Sequence, residues 1–148
     1  MALKNQLLVL ALILFGSNST NLKAKSLLVD ENQKVVLDYV EAFNQKNIEL
    51  MLEHTTEDIL WMSLVDDNVS VETKGKNALK QALLSYFKST PSIHSEILKI
   101  HVSGPFAYTV EKAHWKSQGK AKSQCSPAMY QFEYNKISHV WYFKSYDC

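Results

Sequence analysis

Beyond Pro91 every apolar run in the chain alternates in the manner of a β-strand, while the three stripes with helical spacing all precede that proline. Segregation of this kind specifies an α+β layout, with helices packed on a mostly antiparallel sheet. The first stripe runs from Asp30 to about Gln45, with Val35, Val36, Tyr39, Val40 and Phe43 on one face. Asp30 suits its start, and Gln33 stands three residues later as in a capping box. Asn47 ends that helix and caps a short second one carrying Ile48, Met51 and Leu52. Gly75 precedes a third, with Ala78, Leu79, Ala82, Leu83, Tyr86 and Phe87 at helical spacing, and Pro91 closes it.

Two short strands, Ile59 to Val65 and Val69 to Lys74, flank the turn Asp66-Asp67-Asn68 between the second and third helices. The remaining strands are Ile93 to Val102, Phe106 to about Ser117, about Ala128 to Tyr134, and Ile137 to about Tyr146. Ser103-Gly104-Pro105, Gln118-Gly119 and Asn135-Lys136 supply the turns. At 148 residues, one domain with a real core is expected. All 16 basic residues are Lys, none is Arg, and the net charge is only +1. A nucleic-acid binder would favour Arg and a basic excess, so that class is set aside.

Lys4 precedes an unbroken apolar run from Leu7 to Phe15, after which the chain turns polar. The run is shorter than the ~20 residues a membrane span requires, and it matches the core of a secretory signal. Cleavage after Ser19 or after Ala24 fits the small residues there, the polar stretch favouring Ala24. The expected organisation is a leader over 1–24 and a folded domain over 25–148, secreted or periplasmic, with no membrane span in the mature form. In an oxidising compartment the even pair Cys125 and Cys148 is expected to form a disulfide. A turn at Asn135-Lys136 puts Cys125 nearly opposite Tyr146, with Cys148 one diagonal step away. No metal-ligand spacing, phosphate loop or nucleophile elbow occurs, so no metal or cofactor is implied.

The element order and four local strings resemble the nuclear transport factor 2-like superfamily, nearest its SnoaL-like and ketosteroid-isomerase-like domains. The strings are Tyr39-Val40-Glu41-Ala42-Phe43-Asn44 with Asn47-Ile48-Glu49, Glu57-Asp58-Ile59-Leu60-Trp61, Lys74-Gly75-Lys76-Asn77-Ala78-Leu79, and Phe132-Glu133-Tyr134-Asn135-Lys136-Ile137. The last is similar to the family's hairpin, with Asn135 where a Gly is usual. Resemblance implies a cone: a strongly curved sheet wrapped around the helices, a conical apolar pocket, and a homodimer packed through the outer sheet face. It also places Tyr39 where the isomerases carry their oxyanion-stabilising tyrosine. Ser63 stands at the position of their catalytic aspartate, and Tyr130 at that of a second, protonated aspartate. A phenol can replace that acid as a donor, but a serine hydroxyl is no base at neutral pH, so steroid isomerisation by the family route is not expected.

Five histidines are candidate replacements for the base. His139 is preferred, sharing a face with Ile137, Trp141 and Phe143; His114 shares one with Phe106, Tyr108 and Val110. Glu111 and Glu133 are read as exposed sheet residues, with a buried carboxylate as the alternative. Trp61, Tyr86, Phe87, Phe132 and Trp141 are expected wall residues, which either stack on a ligand or fill the cone. The resulting expectation is a pocket, with Tyr39, Trp61, Ser63, Tyr130 and His139 as its polar or aromatic points. It binds a small apolar or polycyclic molecule and processes it by proton transfer. There His139 is the base and Tyr39 or Tyr130 the oxyanion donor. The alternative is a non-catalytic dimeric interaction module with a filled pocket. A cavity of roughly 300 Å³ or more around Tyr39 distinguishes the two.

Overall fold

The elements occur in the order read from the sequence: α1 (Asn18–Asn44), α2 (Ile48–Glu53), β1 (Thr55–Val65), β2 (Asn68–Lys74), α3 (Lys76–Ser89), β3 (His94–Ser103), β4 (Phe106–Ser117), β5 (Lys120–Glu133) and β6 (Lys136–Phe143). The computed structural model describes residues 18–148, so most of the expected leader over 1–24 lies outside the described residues. Helix α1 starts at Asn18 rather than Asp30, which puts Asp30 inside the helix instead of at its cap. Leu22 to Val29 contains Leu, Lys and Ala and no helix breaker, so nothing local stops the helix there.

The strands form one six-stranded sheet in the order β2-β1-β6-β5-β4-β3. Neighbours are antiparallel except β1 and β6, which run parallel. Register shifts in β1, β3 and β5 bend the strands, and the sheet curls around the helices as a cone. Helix α1 packs against β3, and α3 against β1 and β2. Val36, Tyr39, Val40 and Ala42 of α1 join Leu79, Leu83 and Phe87 of α3 in the core, with Ile59, Tyr130, Ile137 and Val140 from the sheet. Each such leucine or isoleucine contributes about 2 kcal/mol by leaving water.

Polar contacts fix where the helices sit. The Asn44 side chain donates to the Ser95 carbonyl at 2.8 Å and accepts from its amide at 2.7 Å, clamping the end of α1 to β3. Asn47 caps α2 by accepting from the Leu50 amide at 3.1 Å. Gly75 adopts φ 83° while donating to the Ile59 carbonyl at 2.7 Å. A side chain there would be strained, so glycine lets the chain leave β2 and start α3 at once.

Strand β5 begins at Lys120, well before the expected Ala128. Gln118 and Gly119 take positive φ and form a tight hairpin, so the polar stretch up to Ser126 simply follows the long β4. The last hairpin turns at Tyr134 and Asn135, one residue earlier than Asn135-Lys136. Strand β6 ends at Phe143, but Tyr146 returns to exchange two hydrogen bonds of 2.9 Å with Cys125. Cys125 and Cys148 form the disulfide, with Cα atoms 5.5 Å apart. No helix among the described residues is long and apolar enough to cross a membrane.

Candidate functional site

Between the concave face of the sheet and helices α1 and α3 a cavity of about 550 Å³ stays open. Tyr39, Val40 and Phe43 supply the α1 wall, and Ala82, Leu83 and Tyr86 the α3 wall. From the sheet come Trp61 and Ser63 of β1, Glu72 and Thr73 of β2, Glu111 and Ala113 of β4, Gln124 and Ser126 of β5, and Tyr142 of β6. Alternation explains the choice: residues 107, 109, 111 and 113 of β4 point inward, whereas Tyr108 is 45% exposed on the other face. Trp61 and Tyr142 come from parallel neighbours, with ring centroids 5.7 Å apart.

At the sheet side of the cavity lies Glu111, which is only 5% exposed and is the one buried charged residue among those described. Its exposed reading from the sequence is corrected: β4 turns that position into the cone. Oε1 accepts from the Thr109 hydroxyl at 2.8 Å and from Tyr130 at 2.6 Å, and Oε2 accepts from Tyr142 at 3.0 Å. The two phenol oxygens are 3.2 Å from each other. Tyr130 is fully buried and meets Tyr39 edge-to-face, with centroids 6.4 Å apart. Burial, and then the Glu111 charge, push the phenols of Tyr39, Tyr130 and Tyr142 above their ordinary range. They are therefore donors at neutral pH, not bases. Near the β1–β2 edge Ser63 donates to exposed Glu72 at 2.6 Å, and the Thr73 hydroxyl in the cavity wall is buried without a partner among the described residues.

The profile of the SnoaL-like domain matches residues 36–140, most of the described chain. The chain belongs to the SnoaL-like family. No functionally curated protein matches its sequence. Among solved structures, Bal32a from a soil-derived mobile gene cassette is 16% identical with a TM-score of 0.70, over 81% of this chain and 92% of its own. An NTF2-like protein from Burkholderia pseudomallei is 13% identical with a TM-score of 0.65, over 80% and 91%. TerC, crystallised with polyporic acid, is also 13% identical with a TM-score of 0.65, over 76% and 89%. At such identities the likeness concerns the fold.

Within this SnoaL-like cone, the cavity brings together Tyr39, Trp61, Ser63 and Tyr86 of the residues singled out from the sequence. Tyr130 stands behind Glu111 rather than in the wall, and Phe87 and Phe132 are packed in the core. His139 and Trp141 lie on the outer face of β6, opposite Val140 and Tyr142, with their rings stacked at 5.2 Å. His139 therefore faces away from the cavity. His114 is also on the outer face, 3.7 Å from the Glu96 carboxylate. Glu111 and Tyr142 are the residues the sequence reading did not place in the site. A carboxylate in the middle of a strand, on the face of Thr109 and Ala113, was the available signal for Glu111.

The buried phenols imply a pH limit. In the unfolded chain they ionise near pH ~10, whereas the folded cone keeps them neutral. Their stabilising contribution is complete below pH ~10 and is lost as pH rises towards the folded values, by up to about 1.4 kcal/mol per pH unit for each phenol. Denaturant titrations between pH 8 and 11 are expected to show stability falling steeply above ~10, and Tyr130→Phe a shallower fall. A flat profile would contradict this account of the network.

Proposed function

We propose that the cavity binds a small apolar or polycyclic molecule and that Glu111 moves a proton on it. The observation that carries this reading is the position of the one buried charged side chain among the described residues, in the wall of an open apolar cavity of about 550 Å³. That volume exceeds the roughly 300 Å³ at the lower end of small-ligand sites, which argues against a filled cone. A carboxylate held by Thr109, Tyr130 and Tyr142 is fixed in position, and Oε2, with one donor, keeps acceptor capacity for a substrate proton. Tyr39 is a wall phenol able to donate to an oxygen that gains negative charge, whereas the Tyr142 hydroxyl is already given to Glu111. This transfers to Glu111 the role first considered for His139. A protein of the same fold, TerC, was co-crystallised with polyporic acid, in keeping with a cavity that takes a small molecule.

Proton transfer is tested with 2-tetralone, a flat bicyclic ketone with acidic protons beside its carbonyl. The protein is expected to accelerate deuterium uptake from heavy water at that carbon, followed by proton resonance. Uptake at the buffer rate with saturable binding would reduce the function to binding alone.

The outer face favours association of two copies. Val69 and Val71 of β2, Leu98 of β3 and Tyr108 of β4 are each more than 40% exposed, and Val69 and Tyr108 pair through the strand register with Leu64 and Met129. Homodimerisation through this face is expected to give twice the chain mass in light scattering at micromolar concentration, and a monomer mass would contradict it. Export is supported by the disulfide, which persists in oxidising compartments.

A further inference from the structure

Among the described residues, Glu111 has no counter-ion. Its three partners are neutral hydroxyls, and none of the salt bridges among the described residues includes it. Buried charges in proteins are ordinarily paired, because an isolated ion away from water is costly. The remaining lining deepens the asymmetry: a second carboxylate, Glu72, borders the cavity, and no Lys or His is among the lining residues. The chain has no Arg to reach it. The walls present the faces or edges of Tyr39, Phe43, Trp61, Tyr86 and Tyr142, the side-chain type that attracts a cation through its π-system.

We infer that the cavity selects an organic cation, a protonated amine carried on a flat apolar skeleton. This rests on the binding reading above and adds the ligand's charge. The apolar skeleton would occupy the space between α1, α3 and the sheet. Its ammonium N–H would donate to Glu111 Oε2, the oxygen with one donor, and supply the missing counter-charge beside the rings of Trp61 and Tyr142. A carboxylate or phosphate ligand would instead set like charges together where little water screens them.

The test uses one skeleton with three charges: 2-naphthylmethylamine, 2-naphthalenemethanol and 2-naphthoate, titrated at pH 7 by calorimetry into the disulfide-bonded chain. The amine is expected to bind at least about tenfold more tightly than the alcohol, a difference of about 1.4 kcal/mol, and the naphthoate most weakly. In Glu111→Gln the amine's advantage over the alcohol is expected to fall below about threefold. Should that variant fail to fold, the ordering in the unmodified chain decides. Alcohol or naphthoate binding as tightly as the amine would overturn the inference and leave the cavity reading intact. Failure of all three to bind would overturn both.

Discussion

Glu111→Gln is expected to slow deuterium uptake into 2-tetralone by about 10²–10⁴-fold, the range for loss of a positioned acid–base group. The substitution keeps the side-chain shape but removes the charge and one acceptor oxygen. The new amide N–H groups then face hydroxyls that had been donating to the carboxylate, from Thr109 and Tyr130 on one side and Tyr142 on the other. At least one hydroxyl must turn away, and a buried donor left without a partner costs about 1–3 kcal/mol. Relief of the buried charge offsets part of this. The fold, judged by far-ultraviolet circular dichroism, is expected to survive. An exchange rate equal to that of the unaltered protein would remove Glu111 from the chemistry.

Cys148→Ser is expected to lower stability by about 3 kcal/mol, from the loop-closure entropy that the cross-link removes from the unfolded chain. The bridged residues are 23 apart in sequence. The serine sits at the exposed C-terminus, so little folded-state packing is disturbed. Cys125, by contrast, is fully buried, and its neighbours Gln124 and Ser126 both line the cavity. The bridge and the two Tyr146 hydrogen bonds thus hold the β5 wall where β6 no longer does. Thermal unfolding is expected to begin about 10 °C lower, and dithiothreitol should reproduce the shift in the unaltered protein. Equal melting temperatures would show that the bridge contributes nothing.

Element order was legible because the apolar period changes at Pro91 from that of helices to that of strands, and because Asn47 and Gly75 mark helix starts by local chemistry. Boundaries were less so where pairing decides the structure. The stretch from Lys120 to Ser126 is polar and contains no strand signal, yet it pairs along β4 because the hairpin at Gln118-Gly119 aligns it. The site was legible on the helices and only partly on the sheet. Helical stripes identify their buried face directly, so Tyr39 and Tyr86 could be placed. Strand alternation gives two faces without saying which is inner. In this chain the outer face of β4 bears Phe106, Tyr108 and Val110, and that of β6 bears Trp141 and Phe143, while the inner face of β4 bears Ala107, Thr109, Glu111 and Ala113. On β4 the residues beside the empty space, Glu111 and Ala113, are polar or small. The more apolar face therefore belongs to the outside, which is why His139 and Trp141 looked like pocket residues and Glu111 did not.

The account stands on an open apolar cavity that takes a ligand. Ala113 lies in its wall on β4, two residues from Glu111 on the same face, and Ala113→Trp would place an indole in the empty space. The decisive measurement is a fluorescence titration with N-phenyl-1-naphthylamine, a neutral apolar probe, against the unaltered chain and this variant. Saturable binding to the unaltered chain with a micromolar Kd is the expected result, together with at least a tenfold loss in a variant that keeps its circular dichroism spectrum. No saturable binding to the unaltered chain, or equal binding to both, would contradict the account.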